Sequence, residues 1–149
     1  MLYIASDHAG FEMKEMLKKH LENREEWFTD LGPAEMDPKD DYPEYATLIA
    51  KEIQEHDGRG ILLCGNAIGV CITANKFKGI RAGIGYSEYA AQTQREDDDT
   101  NVLGLPARVL SDDDAKKILD IWLDTSFTTE VRHKRRLKKL EQIENENFR

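Results

Sequence analysis

The 149 residues predict an α/β fold: a doubly wound sheet of five parallel strands with helices on both faces, followed by a C-terminal helix. Three observations carry this. Five short apolar runs recur along the chain. Most are continuous rather than alternating, the pattern of strands covered on both faces. The segments between them repeat apolar residues at helical spacing. The length is that of one ordinary domain, so residues 1–149 read as a single unit.

The first run, Leu2–Ala5 (LYIA), opens the sheet, and Met13, Met16, Leu17, His20 and Leu21 mark one face of the helix after it. The second, Trp27–Leu31 (WFTDL), leads to DYPEYA, where Pro43 starts a helix bearing Ala46, Ile49, Ala50 and Ile53. The third, Ile61–Cys64 (ILLC), passes through a glycine-bearing turn into a helix from about Gly69. The fourth, Ile80–Ile84 (IRAGI), and the fifth, Val102–Leu105 (VLGL), flank a polar helix ending in QREDDDTNVL. Ser111 with Asp114 makes a start resembling a capping box for the stripe Ala115, Ile118, Leu119 and Trp122. A last helix is expected from about Val131 to Glu146. Parallel neighbours require right-handed crossovers.

Composition narrows the function classes. A net charge of −8 argues against nucleic-acid binding, where phosphate attraction dominates affinity. No apolar run approaches the roughly 20 residues of a membrane helix, and MLYIASDHAG has no signal-peptide pattern, so a cytoplasmic protein is expected. Cys64 and Cys71 fit a reducing compartment, and their spacing is not that of a zinc or redox pair. One basic cluster, RHKRRLKK at 132–139, stands out in this acidic chain. Such clusters more often decorate a solvated helix face. The sharper reading is a site for a small anion such as phosphate.

In a sheet of this kind ligands sit beyond the carboxyl ends of the strands, which directs attention to the residues just after each run. After the first come Ser6, Asp7, His8, Ala9 and Gly10, where Ser6 or Asp7 can equally well cap the helix. After the third comes Cys64-Gly65-Asn66-Ala67-Ile68-Gly69, a turn able to aim backbone N–H groups at an anion. A thiol at a helix N-terminus is easier to ionise into a base or nucleophile, although a strand-end Cys is more often core. Cys71 has the core reading. Tyr42, at the helix start after the second run, can reach a polar ligand.

Taken together, SDHAG, DYPEYA, ILLCGNAIGVCITANKFKGIRA, NVLGLPARV and RHKRR, in this order, resemble the type B ribose-5-phosphate isomerase family, which includes the galactose-6-phosphate isomerase subunits. The resemblance spans about residues 2 to 140. It implies a Rossmann-like three-layer α/β sandwich and an aldose–ketose isomerase for a sugar phosphate, by default ribose 5-phosphate and ribulose 5-phosphate. It implies no cofactor and no metal, and an active site built across a homodimer, with a tetramer as the alternative assembly and the C-terminal helix packed on a partner subunit. Cys64 corresponds to the base, the Gly65–Gly69 loop to the anion hole, and Asp7, His8 and Tyr42 to sugar contacts. Arg132 and Arg136, with Arg108 and with His133 among them, correspond to the phosphate site.

This sequence also departs from the family pattern. CGTGIG reads CGNAIG, placing Asn66 and Ala67 where threonine and glycine are expected, and REHNDANVL reads REDDDTNVL. Asp97 thus replaces the ring-opening histidine, and Asp98 replaces a sugar-contacting asparagine. An ionised carboxylate can take the anomeric proton but is a poor donor to the ring oxygen. His8 is the alternative ring opener. These changes leave open another pentose or hexose phosphate, and a phosphosugar-binding regulator without turnover. A metal site from Asp97–Asp99 with His8 is a weaker reading.

Overall fold

The structure, a computed structural model, describes residues 1–148. Its strands are β1 (Leu2–Ser6), β2 (Thr29–Asp30), β3 (Arg59–Cys64), β4 (Ala82–Ile84) and β5 (Val102–Pro106). Its helices are α1 (Phe11–Asn23), α2 (Tyr42–His56), α3 (Ile68–Ala74), α4 (Glu88–Glu96), α5 (Asp112–Asp124) and α6 (Val131–Asn147). The sheet is wholly parallel, in the order β2-β1-β3-β5-β4. This is the expected α/β sandwich.

The layers follow from strand pleating, which sends successive side chains to opposite faces. Leu2, Ile4, Ile61, Leu63, Leu103 and Leu105 pack against α1, α4 and α5, through Leu17, Leu21, Ala91, Ile118, Leu119 and Trp122. Tyr3, Ala5, Leu62 and Cys64 face α2 and α3, through Ala46, Ile49, Ala50, Ile53, Val70 and Ala74. The three central strands are buried almost throughout, which explains their unbroken apolar sequence.

The edge strands are shorter than their apolar runs. WFTDL pairs only at Thr29 and Asp30, with Trp27 92% exposed, and IRAGI pairs only from Ala82 to Ile84. An edge strand has one pairing partner and is blunted in this way. Ser111 caps α5: its Oγ accepts the Asp114 N–H at 3.1 Å and its hydroxyl donates to Asp114 Oδ2 at 2.7 Å. The α1 stripe hides one surprise, Lys14, which is fully buried and donates to Asp30 and to the Pro33 carbonyl. Helix α6 packs least. His133 is its buried residue, while Val131, Leu140 and Ile143 are exposed. Among the described residues no helix is long and apolar enough to cross a membrane.

Candidate active site

The connections from β1 and from β3 leave in opposite directions across the sheet, so a crevice opens between their carboxyl ends. There lies a cleft of about 410 Å³. It gathers Asp7 and His8 after β1, Cys64 at the end of β3 with Gly65, Asn66 and Gly69 beyond it, Arg108 after β5, and Tyr42 at the start of α2. All eight were singled out from the sequence.

Each is placed by a local cause. Asp7 caps the short 3₁₀ turn His8–Gly10, accepting the Gly10 N–H at 3.1 Å, so the capping reading holds while its side chain still lines the cleft. Burial raises the Asp7 pKa and the Asp40 carboxylate adds to this, against the Gly10 hydrogen bond and the charge of His8. Gly10 lets the turn lie on β3: a Cβ there would fall 2.6 Å from Leu63 Cβ.

Cys64 ends β3 and is 5% exposed, and its Sγ accepts the Ala67 N–H at 3.1 Å. That contact needs a tight turn, and Ala67 provides it in the left-handed region at φ 60. Asn66 is exposed at the cleft, its Oδ1 accepting the Ile68 N–H at 3.1 Å, which leaves Nδ2 as the donor for a ligand. The ring of Tyr42 lies on Gly69, where a Cβ would come within 2.6 Å of its Cζ. Arg108 lies on Gly65 and donates its backbone N–H to the Gly65 carbonyl at 3.0 Å. Cys71 has the core role: burial, then the neighbouring Cys64, pushes its thiol up to about 12.

His8 has a partner that sequence reasoning missed. Asp40 Oδ1 accepts its backbone N–H at 3.0 Å and meets its ring Nδ1 at 2.7 Å. The two residues are 32 apart in the chain, and DD before YPEYA reads only as a helix start.

The remaining candidates lie elsewhere. Asp97 and Asp98 close α4 and precede β5, at the amino ends of the strands, so they fail the expectation that site residues follow strands. Asp97 Oδ1 lies 3.4 Å from Nε2 of His133, whose Nδ1 meets Thr128 Oγ1 at 2.8 Å. Because the Thr128 hydroxyl donates to the Glu96 carbonyl, the His133 Nδ1 must donate to it. Arg132 pairs with Glu130 at 3.0 Å, Arg136 is exposed, and neither lines the cleft. Asp98 is exposed, while Asp99 binds Arg81 and Arg95 at 3.0 and 2.8 Å. Within one chain Asp97–Asp99 and His8 lie at opposite ends of the sheet, and no cluster of three metal-binding side chains occurs among the described residues.

Comparison with known proteins follows the same lines. The family model described as Ribose/Galactose Isomerase matches residues 2–140. A ribose-5-phosphate isomerase B of Escherichia coli is 40% identical over 140 residues, covering 93% of this chain and 92% of that protein. A D-erythrulose-4-phosphate isomerase of Pectobacterium atrosepticum is 37% identical over 125 residues, covering 83% of this chain and 82% of its own. The crystal structure of ribose-5-phosphate isomerase B from Mycoplasma genitalium with bound ribulose-5-phosphate superposes with a TM-score of 0.93 at 39% identity, covering 98% of this chain and 97% of that one.

Proposed function

Because the chain belongs to the ribose/galactose isomerase family, we propose that it interconverts an aldose phosphate and a ketose phosphate, with ribose 5-phosphate and ribulose 5-phosphate as the pair. One observation carries this reading. A strand-end thiol, Cys64, lies in a cleft with Asp7, His8 and Tyr42, beside a turn of backbone amides.

The Cys64 thiolate takes the proton from C2 of the open aldose. The electron pair forms the C1–C2 double bond, and charge moves to the oxygen on C1 as the enediolate. Amides of the Gly65–Gly69 turn and Asn66 Nδ2 donate to that oxygen, where preorganised donors act most strongly. The thiol returns its proton to C1. The C2 hydroxyl proton passes to O1 as C2 becomes the carbonyl.

The phosphate goes to Arg132 and Arg136, with Arg108 and His133, because planar guanidinium forks bind phosphate oxygens two at a time. Cys64 lies at the carboxyl ends of the strands, and Asp97 and Asp98 at the amino ends. A second copy of the chain therefore supplies Asp97, Asp98, Arg132, His133 and Arg136. The thinly packed α6 favours this homodimer, with its exposed Val131, Leu140 and Ile143 set against the partner.

The test is conversion of ribose 5-phosphate by purified protein. Cys64→Ala should lower kcat by at least about a thousandfold, within the range for removal of a general base. Wild type that binds phosphosugars but turns over no aldose phosphate would replace this reading with the regulatory one, which the acids at Asp97 and Asp98 favour.

A further inference from the structure

We infer that Asp40 is a positioning residue for His8, and that the couple opens the sugar ring; this rests on the isomerase reading above. The Asp40 side chain is 5% exposed, and its Oδ1 meets His8 twice, at the backbone N–H at 3.0 Å and at ring Nδ1 at 2.7 Å. Its other oxygen, Oδ2, is buried without a partner. Tyr45 stands beside the same carboxylate: burial first, then Asp40, pushes the phenol up to about 12. A buried carboxylate is costly unless its contacts require it, and here the contacts fix one imidazole.

The arrangement sets the tautomer. A carboxylate can only accept, so Nδ1 carries a proton, and in the neutral imidazole the lone pair is then on Nε2. The ring is 34% exposed at the cleft. Of the four histidines, His8 is the one that lines it. Two residues beyond Asp40, Tyr42 packs on Gly69, so one segment fixes both His8 and the roof over the Cys64 turn.

An aldopentose 5-phosphate rests as a ring closed from O4 to C1. Opening it removes the anomeric O1 proton, breaks C1–O4, forms C1=O1 and protonates O4. Nε2 takes the first proton and becomes an imidazolium stabilised by Asp40. It then delivers that proton to O4, and imidazole is regenerated. Protons and electrons balance without a co-reactant.

A ketopentose 5-phosphate cannot form such a ring, because its O5 is esterified. Exchange of its C1 proton with deuterium therefore reports enolisation without ring opening. In Asp40→Asn, ribose 5-phosphate consumption should fall by at least about tenfold, while C1 exchange of ribulose 5-phosphate in D2O stays within about threefold of wild type. Asp40→Glu should restore part of the loss. Equal loss in both assays, or loss in neither, overturns the inference. A second measurement stands apart from turnover: ¹⁵N NMR of the histidine ring should show Nδ1–H for His8 in wild type, and its loss in Asp40→Asn. Nε2–H in wild type overturns the positioning. Absence of all turnover with the Nδ1–H signature intact sinks the isomerase reading and the ring-opening step, and leaves Asp40 as the residue that orients His8.

Discussion

Ala67 shows how far one residue can be argued. Its left-handed backbone, at φ 60, costs an L-residue about 1–2 kcal/mol. Glycine would remove that cost. It would also expose the unfolded chain to more conformations, about 0.4–1 kcal/mol, and lose a fully buried methyl worth about 0.8 kcal/mol. The terms nearly cancel, which explains why alanine is tolerated where the resemblance expects glycine. Ala67→Gly should therefore shift Tm by no more than about 3 °C, read by calorimetry. A larger drop would mean that the methyl, packed toward Gly104, contributes more than its area suggests. The sequence made this position visible as a departure. It could not supply the φ angle, which is set by the need to turn an amide onto Cys64. The two cysteines teach the same lesson. The spacing of seven separates strand end from helix interior, and only packing shows that burial silences Cys71.

At the scale of elements, the helices with apolar stripes were legible because their periodicity is a direct record of the face they bury. The edge strands were not, since WFTDL and IRAGI look like core strands and only pairing decides how much of them is used. Nor does any periodicity disclose that Lys14, on the buried face of α1, is held by Asp30 at 2.9 Å. Asp30 also binds Lys18 and the Gly32 N–H, and Gly32 in turn accepts the Ser6 N–H. The cluster thus ties the segment that leads to Asp40 onto the end of β1. Burial alone would raise the Asp30 pKa, yet Lys18, Lys14 and the Gly32 N–H outweigh it, and the net shift is downward. With a folded pKa below the unfolded one, Asp30 stabilises the fold above the ordinary carboxylate range. That contribution is lost as pH falls through its depressed value. Asp30→Asn should cost about 3 kcal/mol at pH 7, since it takes the nearest carboxylate from a buried ammonium and leaves it Glu15 at 3.4 Å and the Pro33 carbonyl. The gap between variant and wild type in urea unfolding should narrow as pH falls below about 4. A gap independent of pH would mean that the loss comes from packing, not charge.

For the whole molecule, the rule that ligands gather at the carboxyl ends of strands found the cleft and leaves the other candidate residues outside it. Asp7, His8, Tyr42 and Cys64 obey it within one chain. Asp97, Asp98, Arg132 and Arg136 do not; in the homodimer proposed above, a closed symmetric pair would bring the far end of one sheet to the near end of another. Nothing in a single sequence encodes that symmetry operation. Its consequence can be measured without knowing the interface. Take Cys64→Ala and Arg136→Ala, each inactive alone if both groups serve every site. In a mixed dimer one site carries both lesions and the other carries neither. Random pairing at equal amounts makes half the dimers mixed, so co-expression or co-refolding should restore about a quarter of wild-type kcat per chain. The same sample should sediment as a dimer or a pair of dimers. If activity stays at the level of the single variants while mixed dimers form, Cys64 and Arg136 serve the same chain's site. The division of the site between two copies would then be wrong, whatever the substrate.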